Sequence, residues 1–400
     1  MDRTPASLAP PTGDPQNPGG FTHIPALDGI RGLAILMVLF VHLFWANTAT
    51  GSRIFDFFTH VRESCYIGVN LFFVLSGFLI TGILIDTLNI PHYFKTFYAR
   101  RAIRIFPLYY GVLIVLLLLT RPLHFIWSGW QYYFLTYSAN LALWRNAPLV
   151  LPHININHFW SLQVEEQFYL VWPFLVYKLK RPQSLLRVSL IGCVLVLCIR
   201  IALVAMHSHF SNEYLVYSPT FSCADNLLFG CGLCALLRTS ARQRVIELAP
   251  RVFAVGAIIL VVVGITKGSL DWQHSFFIPT FGFTLIGITF AALITMALRT
   301  GSTTQRIFQN KGLRFFGKYS YGLYVFHYSI AETCSPLVRK FVDDRFHSKA
   351  LGVISGAAVV LALSLIAALL SYRFYEEPFL KLKRYFSYNR KTTRQPAIPG

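Results

Sequence analysis

Arg31 and His42 stand eleven residues apart in one apolar stretch. On a helix that spacing brings them within about 20° of one face and about 16 Å apart along the axis. Asp28, one turn before Arg31, can pair with it. A neutral imidazole titrates where a general base is needed, and a guanidinium binds phosphate or carboxylate as a fork. A lone histidine in such a stretch more often bonds structurally to a neighbouring helix. The arginine in register on the same face favours a functional reading here.

A second constellation opens at His158. His158, Ser161, Glu165, Tyr169 and Trp172 recur every three or four residues, so they line one stripe of a helix. Glu166 points about 100° away, beside Gln163. One carboxylate could serve only as interhelical glue. Two carboxylates beside a serine and a histidine suit the wall of a cavity. A third constellation runs Tyr321, Tyr324, His327, each one turn from the next. Arg101 and Arg104 are also one turn apart, just before Pro107. A positive anchor at a membrane surface explains most such clusters, and phosphate binding is the alternative.

These groups sit in a chain that does not resemble a soluble enzyme. Of its 400 residues 54% are hydrophobic and 13% charged, and the mean hydropathy is +0.51. A soluble domain carries about a quarter charged residues. The apolar blocks approach twenty residues, the length that crosses a bilayer as a helix. The sequence therefore predicts an all-α, polytopic membrane bundle of about ten spans. They fall near 29–46, 66–86, 105–121, 158–177, 188–206, 222–238, 252–266, 276–297, 315–334 and 351–372. The aromatic segment 130–144 is too short and polar for an eleventh and suits the membrane interface. Residues 1–22, rich in Pro, Gly and Thr, are expected to be a disordered tail without a cleavable signal. Residues 23–378 form one transmembrane domain, and 379–400 form a basic tail suited to anionic headgroups.

The even-numbered connections and the final tail carry 24 Lys and Arg, against 9 in the odd-numbered ones. That bias predicts both termini in the cytoplasm. It also accounts for the net charge of +19 without nucleic acid. Cys231 and Cys234 lie in an apolar helix without a histidine nearby, so the pair reads as packing residues, and no metal is expected. Ionisable residues inside spans are costly and mark function by default. They are Arg31, His42, Glu165, Glu166, Arg200, Asp225, His327 and Glu332, with Asp28, Glu376 and Glu377 at helix ends. By residue count His42, Glu165 and His327 reach similar depth, which predicts one shared polar cavity.

Taken together the motifs resemble the acyltransferase-3 family of multi-pass membrane acyltransferases. The matching pieces are Leu27-Asp-Gly-Ile-Arg31 with His42, Phe72 to Thr81, Arg101 to Pro107, His158 to Tyr169, Gly317 to His327, and Glu377-Pro378. Six in order, from residue 27 to 378, make the likeness specific. One departure lies two residues before Asp225, where relatives often carry Arg and this chain has Cys223. The resemblance implies transfer of an acyl group, usually acetyl, from acyl-CoA on the cytoplasmic side to a hydroxyl of a carbohydrate or glycoside. It implies no resident cofactor, and a place in the cell membrane, here a bacterial plasma or inner membrane. It implies that Arg31 and His42 are essential; with Glu165, added from the helical stripe, they are the catalytic candidates, with His42 as general base in a direct transfer or a route through an acyl-histidine. Arg101, Arg104 and Arg31 hold the donor phosphates. His327, Tyr324, Ser161 and Glu166 bind substrate. The rival expectation is a transporter or channel that uses the same His and Glu residues as a relay. Paired half-helices in two related halves, common in transporters, are not visible.

Overall fold

The computed structural model describes residues 23–44, 53–120, 129–144, 154–206, 215–267, 269–270 and 276–388. The expected tail 1–22 and the last twelve residues of the basic tail lie outside them. So do Arg121 and Arg145 of the charge count. The described residues are almost entirely helical and contain no strand.

The first half holds α1 (Pro25–Leu43), α2 (Arg53–Ser64), α3 (Gly68–Asp86), α4 (Tyr93–Leu118), α5 (Trp130–Leu135), α6 (Ala139–Trp144) and α7 (Trp160–Leu179). The second holds α8 (Pro182–Ala205), α9 (Thr220–Leu236), α10 (Arg242–Lys267), α11 (Phe283–Leu298), α12 (Thr303–Phe308), α13 (Lys311–Phe346), α14 (Lys349–Leu370) and α15 (Glu377–Lys381). Local chemistry sets several boundaries. Pro25 and Pro182 open α1 and α8, where a missing N–H costs nothing. Lys180 and His347 adopt positive φ, so α7 turns into α8 and α13 into α14 within a few residues. Ser348 then caps α14 by accepting from the Leu351 N–H at 3.3 Å.

Seven helices are long and apolar enough to cross a membrane. Each of the ten expected spans falls on a helix, but three fail that test. The α9 helix has only 17 residues, α7 carries Glu165, Glu166 and Lys178, and the 36 residues of α13 are rich in charge. The α4 helix starts at Tyr93 and not near 105, so the Arg100–Arg104 cluster is helical. The segment 130–144 forms two short helices folded against α7. There the Gln163 Oε1 accepts from the Asn140 N–H at 2.8 Å, and Gln167 bonds the Asn140 side chain.

Burial ranks the helices. Only 17% of the apolar stretch of α10 and 22% of that of α8 are buried, so these two form the rim. The figure is 56% for α1 and 67% for α11, which sit at the centre. Backbone contact through glycine makes the central packing close. A Cβ added to Gly32 would lie 1.9 Å from the Leu313 carbonyl oxygen, and one on Gly317 1.9 Å from that of Asp28. Nothing larger fits between α1 and α13 along that line. At the rim, Arg200 and Asp225 form a fully buried ion pair at 2.7 Å between α8 and α9. Arg200 also donates to the Ser222 carbonyl and to the Thr284 hydroxyl. The partner of Asp225 thus comes from a neighbouring helix, not from position 223. Cys231 and Cys234 are buried free thiols on α9.

Candidate functional site

The α1, α3, α4, α7 and α13 helices enclose a cavity of about 490 Å³. Its mouth is cationic, lined by Arg31 from α1, by Arg100, Arg101 and Arg104 from α4, and by Lys383 from the segment after α15. Arg31 is held by Asp28 at 2.9 Å. The Arg101 guanidinium lies 4.6 Å from the centre of the Tyr169 ring. Arg104 is open to the cavity and makes no ion pair with a described residue. The closest charges on Arg104 include Arg31 and Arg101, so the mouth gathers like charges. Such a cluster binds a polyanion, because Arg forks match phosphate oxygens.

Below the mouth the walls turn apolar, with Val69, Phe72, Leu75 and Leu162. Glu165 lies on this wall, within reach of the Ser76 and Tyr169 hydroxyls, which bond each other. Ser161 and Tyr324 form the floor. The Tyr324 hydroxyl donates to the His158 carbonyl at 2.7 Å, and Ser161 donates to the Tyr324 hydroxyl at 2.5 Å.

Behind that floor three imidazoles meet. Ring centres of His42 and His327 are 5.1 Å apart, and those of His158 and His327 are 5.2 Å apart. Their tautomers follow from their partners, since a carbonyl only accepts. His327 Nδ1 donates to the Tyr324 carbonyl at 2.8 Å, and His158 Nε2 donates to the same oxygen at 2.9 Å. His42 Nδ1 donates to the Val38 carbonyl at 2.9 Å. The remaining nitrogen of a neutral His327, Nε2, accepts, and it lies 3.3 Å from His42 Nδ1. The shared proton orients the His42 ring and leaves a lone pair on its Nε2. His158 Nδ1 is buried without a hydrogen-bond partner. Among the described residues no group of three or more His, Cys, Asp or Glu side chains is placed to hold a metal ion.

Of the expected residues, Arg31, Arg101, Arg104, Ser161, Glu165 and Tyr324 line the cavity. His42 does not. It is half-buried one residue layer beyond Tyr324, where its ring packs against Tyr328. His327 is fully buried with both nitrogens engaged, so it faces His42 and not the cavity. Glu166 is outside the cavity. Its Oε1 is buried without a hydrogen bond, among Tyr109, Tyr110 and Tyr137. Glu332 is exposed on α13. The group that shares the depth of His42 and His327 is His158, two turns from Glu165. The helical stripe already contained His158, and nothing in the spacing told it from Glu165. Lys383 and Arg100 were also missed as cavity residues. The sequence offers only their charge, and their position comes from the fold of the C-terminal segment onto α4.

A family model described as an acyltransferase domain matches residues 24–373. The chain is 29% identical over 392 residues to YrhL of Bacillus subtilis, covering 92% of this chain and 56% of that protein. It is 28% identical over 381 residues to the peptidoglycan O-acetyltransferase OatA of Listeria monocytogenes, covering 90% and 56%. The figures for the O-acetyltransferase OatA of Staphylococcus aureus are 27% over 391 residues, 90% and 57%. The chain thus spans little more than half the length of these relatives. No solved structure matches it.

Proposed function

This chain belongs to the acyltransferase-3 family, and from that membership we propose that it transfers an acetyl group from acetyl-CoA to a hydroxyl of a carbohydrate. The observation that carries the reading is the alignment of three parts along one axis. A cationic mouth leads past apolar walls to hydroxyls, and these abut an oriented imidazole. Coenzyme A has that layout, with phosphates at one end, a thin arm, and the thioester at the other. Arg31, Arg101 and Arg104 hold the phosphates. Ser161, on releasing the Tyr324 hydroxyl, donates to the thioester carbonyl, where oxyanion charge develops. His42 Nε2 takes the proton of the acceptor hydroxyl, and the oxygen attacks the carbonyl. The C–S bond breaks, and the departing thiolate takes up a proton. Glu165 binds or orients the reacting groups from the wall.

Relatives named as peptidoglycan O-acetyltransferases support a cell-wall glycan as the acceptor. His42 is half-buried, does not line the donor cavity and feels the charge of Arg62 on α2, and this supports acceptor entry from the opposite end. The charge bias of the connections supports ten spans with both termini in the cytoplasm and the cationic mouth on that side. The experiment is acetyl transfer from radiolabelled acetyl-CoA by the purified His42→Ala protein. A loss of about 10²–10⁴-fold is expected, with the protein still folded and inserted. A wild-type rate would remove His42 from its role.

A further inference from the structure

As far as Tyr388, the chain beyond the last long helix stays against the bundle. The turn Leu382–Tyr385 and the residues up to Tyr388 fold back onto α4. Arg100 fastens them. Its Nη1 donates to the Phe386 carbonyl at 2.9 Å and to the Lys383 carbonyl at 3.3 Å, and its guanidinium lies 4.8 Å from the centre of the Tyr388 ring. Arg100 is therefore spent on the chain itself and is not free for a ligand. The contact has two results. The Tyr388 ring and the Ser387 side chain become part of the cavity wall, and the Lys383 side chain joins Arg101 and Arg104 at the mouth.

Lys383 makes no ion pair with any described residue, and the charges that act on it are those of Arg104, Arg101 and Arg100. An ammonium forced among guanidiniums is repelled unless a polyanion lies between them. A cation also belongs there only if the segment that carries it is held, which is the task Arg100 performs. An aromatic ring beside a phosphate-binding cluster supplies a flat apolar face, as nucleobases need.

We propose that the segment Leu382–Tyr388 is part of the donor site: Lys383 binds a phosphate, and the Tyr388 ring, fixed by Arg100, packs on the base of a nucleotide-bearing donor. The proposal deepens the acetyl-CoA reading and rests on it. It makes the segment after the bundle the reader of the nucleotide end, while the thioester end is read at Ser161 and Tyr324. Donors that share the thioester but lack the nucleotide gain nothing from this wall.

The test compares two donors in the full-length protein, acetyl-CoA and S-acetyl-pantetheine, which lacks the nucleotide. Lys383→Ala is expected to raise the KM for acetyl-CoA about tenfold, as for loss of one phosphate contact. Its kcat, and the KM for S-acetyl-pantetheine, are expected to stay unchanged. Lys383→Arg is expected to restore the acetyl-CoA KM. Tyr388→Leu is expected to behave like Lys383→Ala, and Tyr388→Phe like the wild type. Inhibition by adenosine 3′,5′-bisphosphate gives an independent readout, weakened in parallel in Lys383→Ala. Arg384→Ala, in the same turn but outside the cavity lining, is the control and is expected to be silent. If Lys383→Ala changes both donors equally, or changes neither donor and leaves bisphosphate inhibition intact, the inference is overturned while the acetyl-CoA reading stands. If the wild-type protein turns over neither thioester and binds no bisphosphate, the acetyl-CoA reading itself fails.

Discussion

His42 and His327 form a pair in which one imidazole orients the other. The 3.3 Å contact from His42 Nδ1 to His327 Nε2 exists only while His327 keeps its Nδ1 proton on the Tyr324 carbonyl. On the proposed mechanism His327 is thus a positioning residue. Its removal frees the His42 ring to rotate, and a misplaced base costs on the order of 10² in rate. For His327→Ala the expected result is a fall of that size in kcat with the donor KM unchanged. A rise in KM alone would return His327 to a binding role. Arg104→Ala has the opposite signature. It is expected to raise the KM of the donor more than that of the acceptor, and steady-state kinetics with each substrate varied in turn decides it. The types of these residues were legible in the sequence, and so was the turn that aligns Arg31 with His42. The histidine trio was not. It depends on His158, in the turn that leads into α7, meeting α13, a contact between residues more than 160 positions apart that no helical period encodes.

At the scale of elements, two devices hold the bundle. The first is the glycine contact between α1 and α13, which places the two histidine-bearing helices at backbone distance. The second is the Arg200–Asp225 pair, which ties α8 to α9 by direct contact. A buried pair pays a large desolvation cost, so its worth lies in not being broken. Asp225→Ala leaves Arg200 buried without a counter-charge, and about 3–5 kcal/mol of stability is expected to be lost. The double variant Arg200→Met, Asp225→Leu is expected to recover most of that loss. Thermal unfolding in detergent measures both, and equal loss in single and double variants would contradict the account. Hydropathy placed a helix under each expected span, because lipid-facing helices need unbroken apolar runs. It misjudged their ends. The Arg100–Arg104 cluster belongs inside α4, since its cations point into a cavity, where water or a ligand compensates them.

On the scale of the whole molecule, the proposed route from cationic mouth to imidazole has one end on each side of the membrane. Seven spans follow from length and composition, while the positive-inside bias supports ten. With a cytoplasmic N-terminus both counts put residue 57 outside and residue 242 inside, so cysteine labelling tests that orientation. In a background without native cysteine, a membrane-impermeant thiol reagent applied outside intact cells is expected to label Phe57→Cys and to spare Arg242→Cys. Both residues are exposed, so accessibility to solvent does not bias the comparison. Labelling of Arg242→Cys would reverse the orientation.

The 285 positions between His42 and His327 set a delay on the assembly of their contact. A ribosome working at about 5–20 residues per second needs roughly 15 to 60 s to pass from one to the other. During that interval the first helix already rests in the bilayer with an incomplete partner set. On the proposed mechanism the nascent chain therefore stays inert towards thioesters until its penultimate long helix has been inserted.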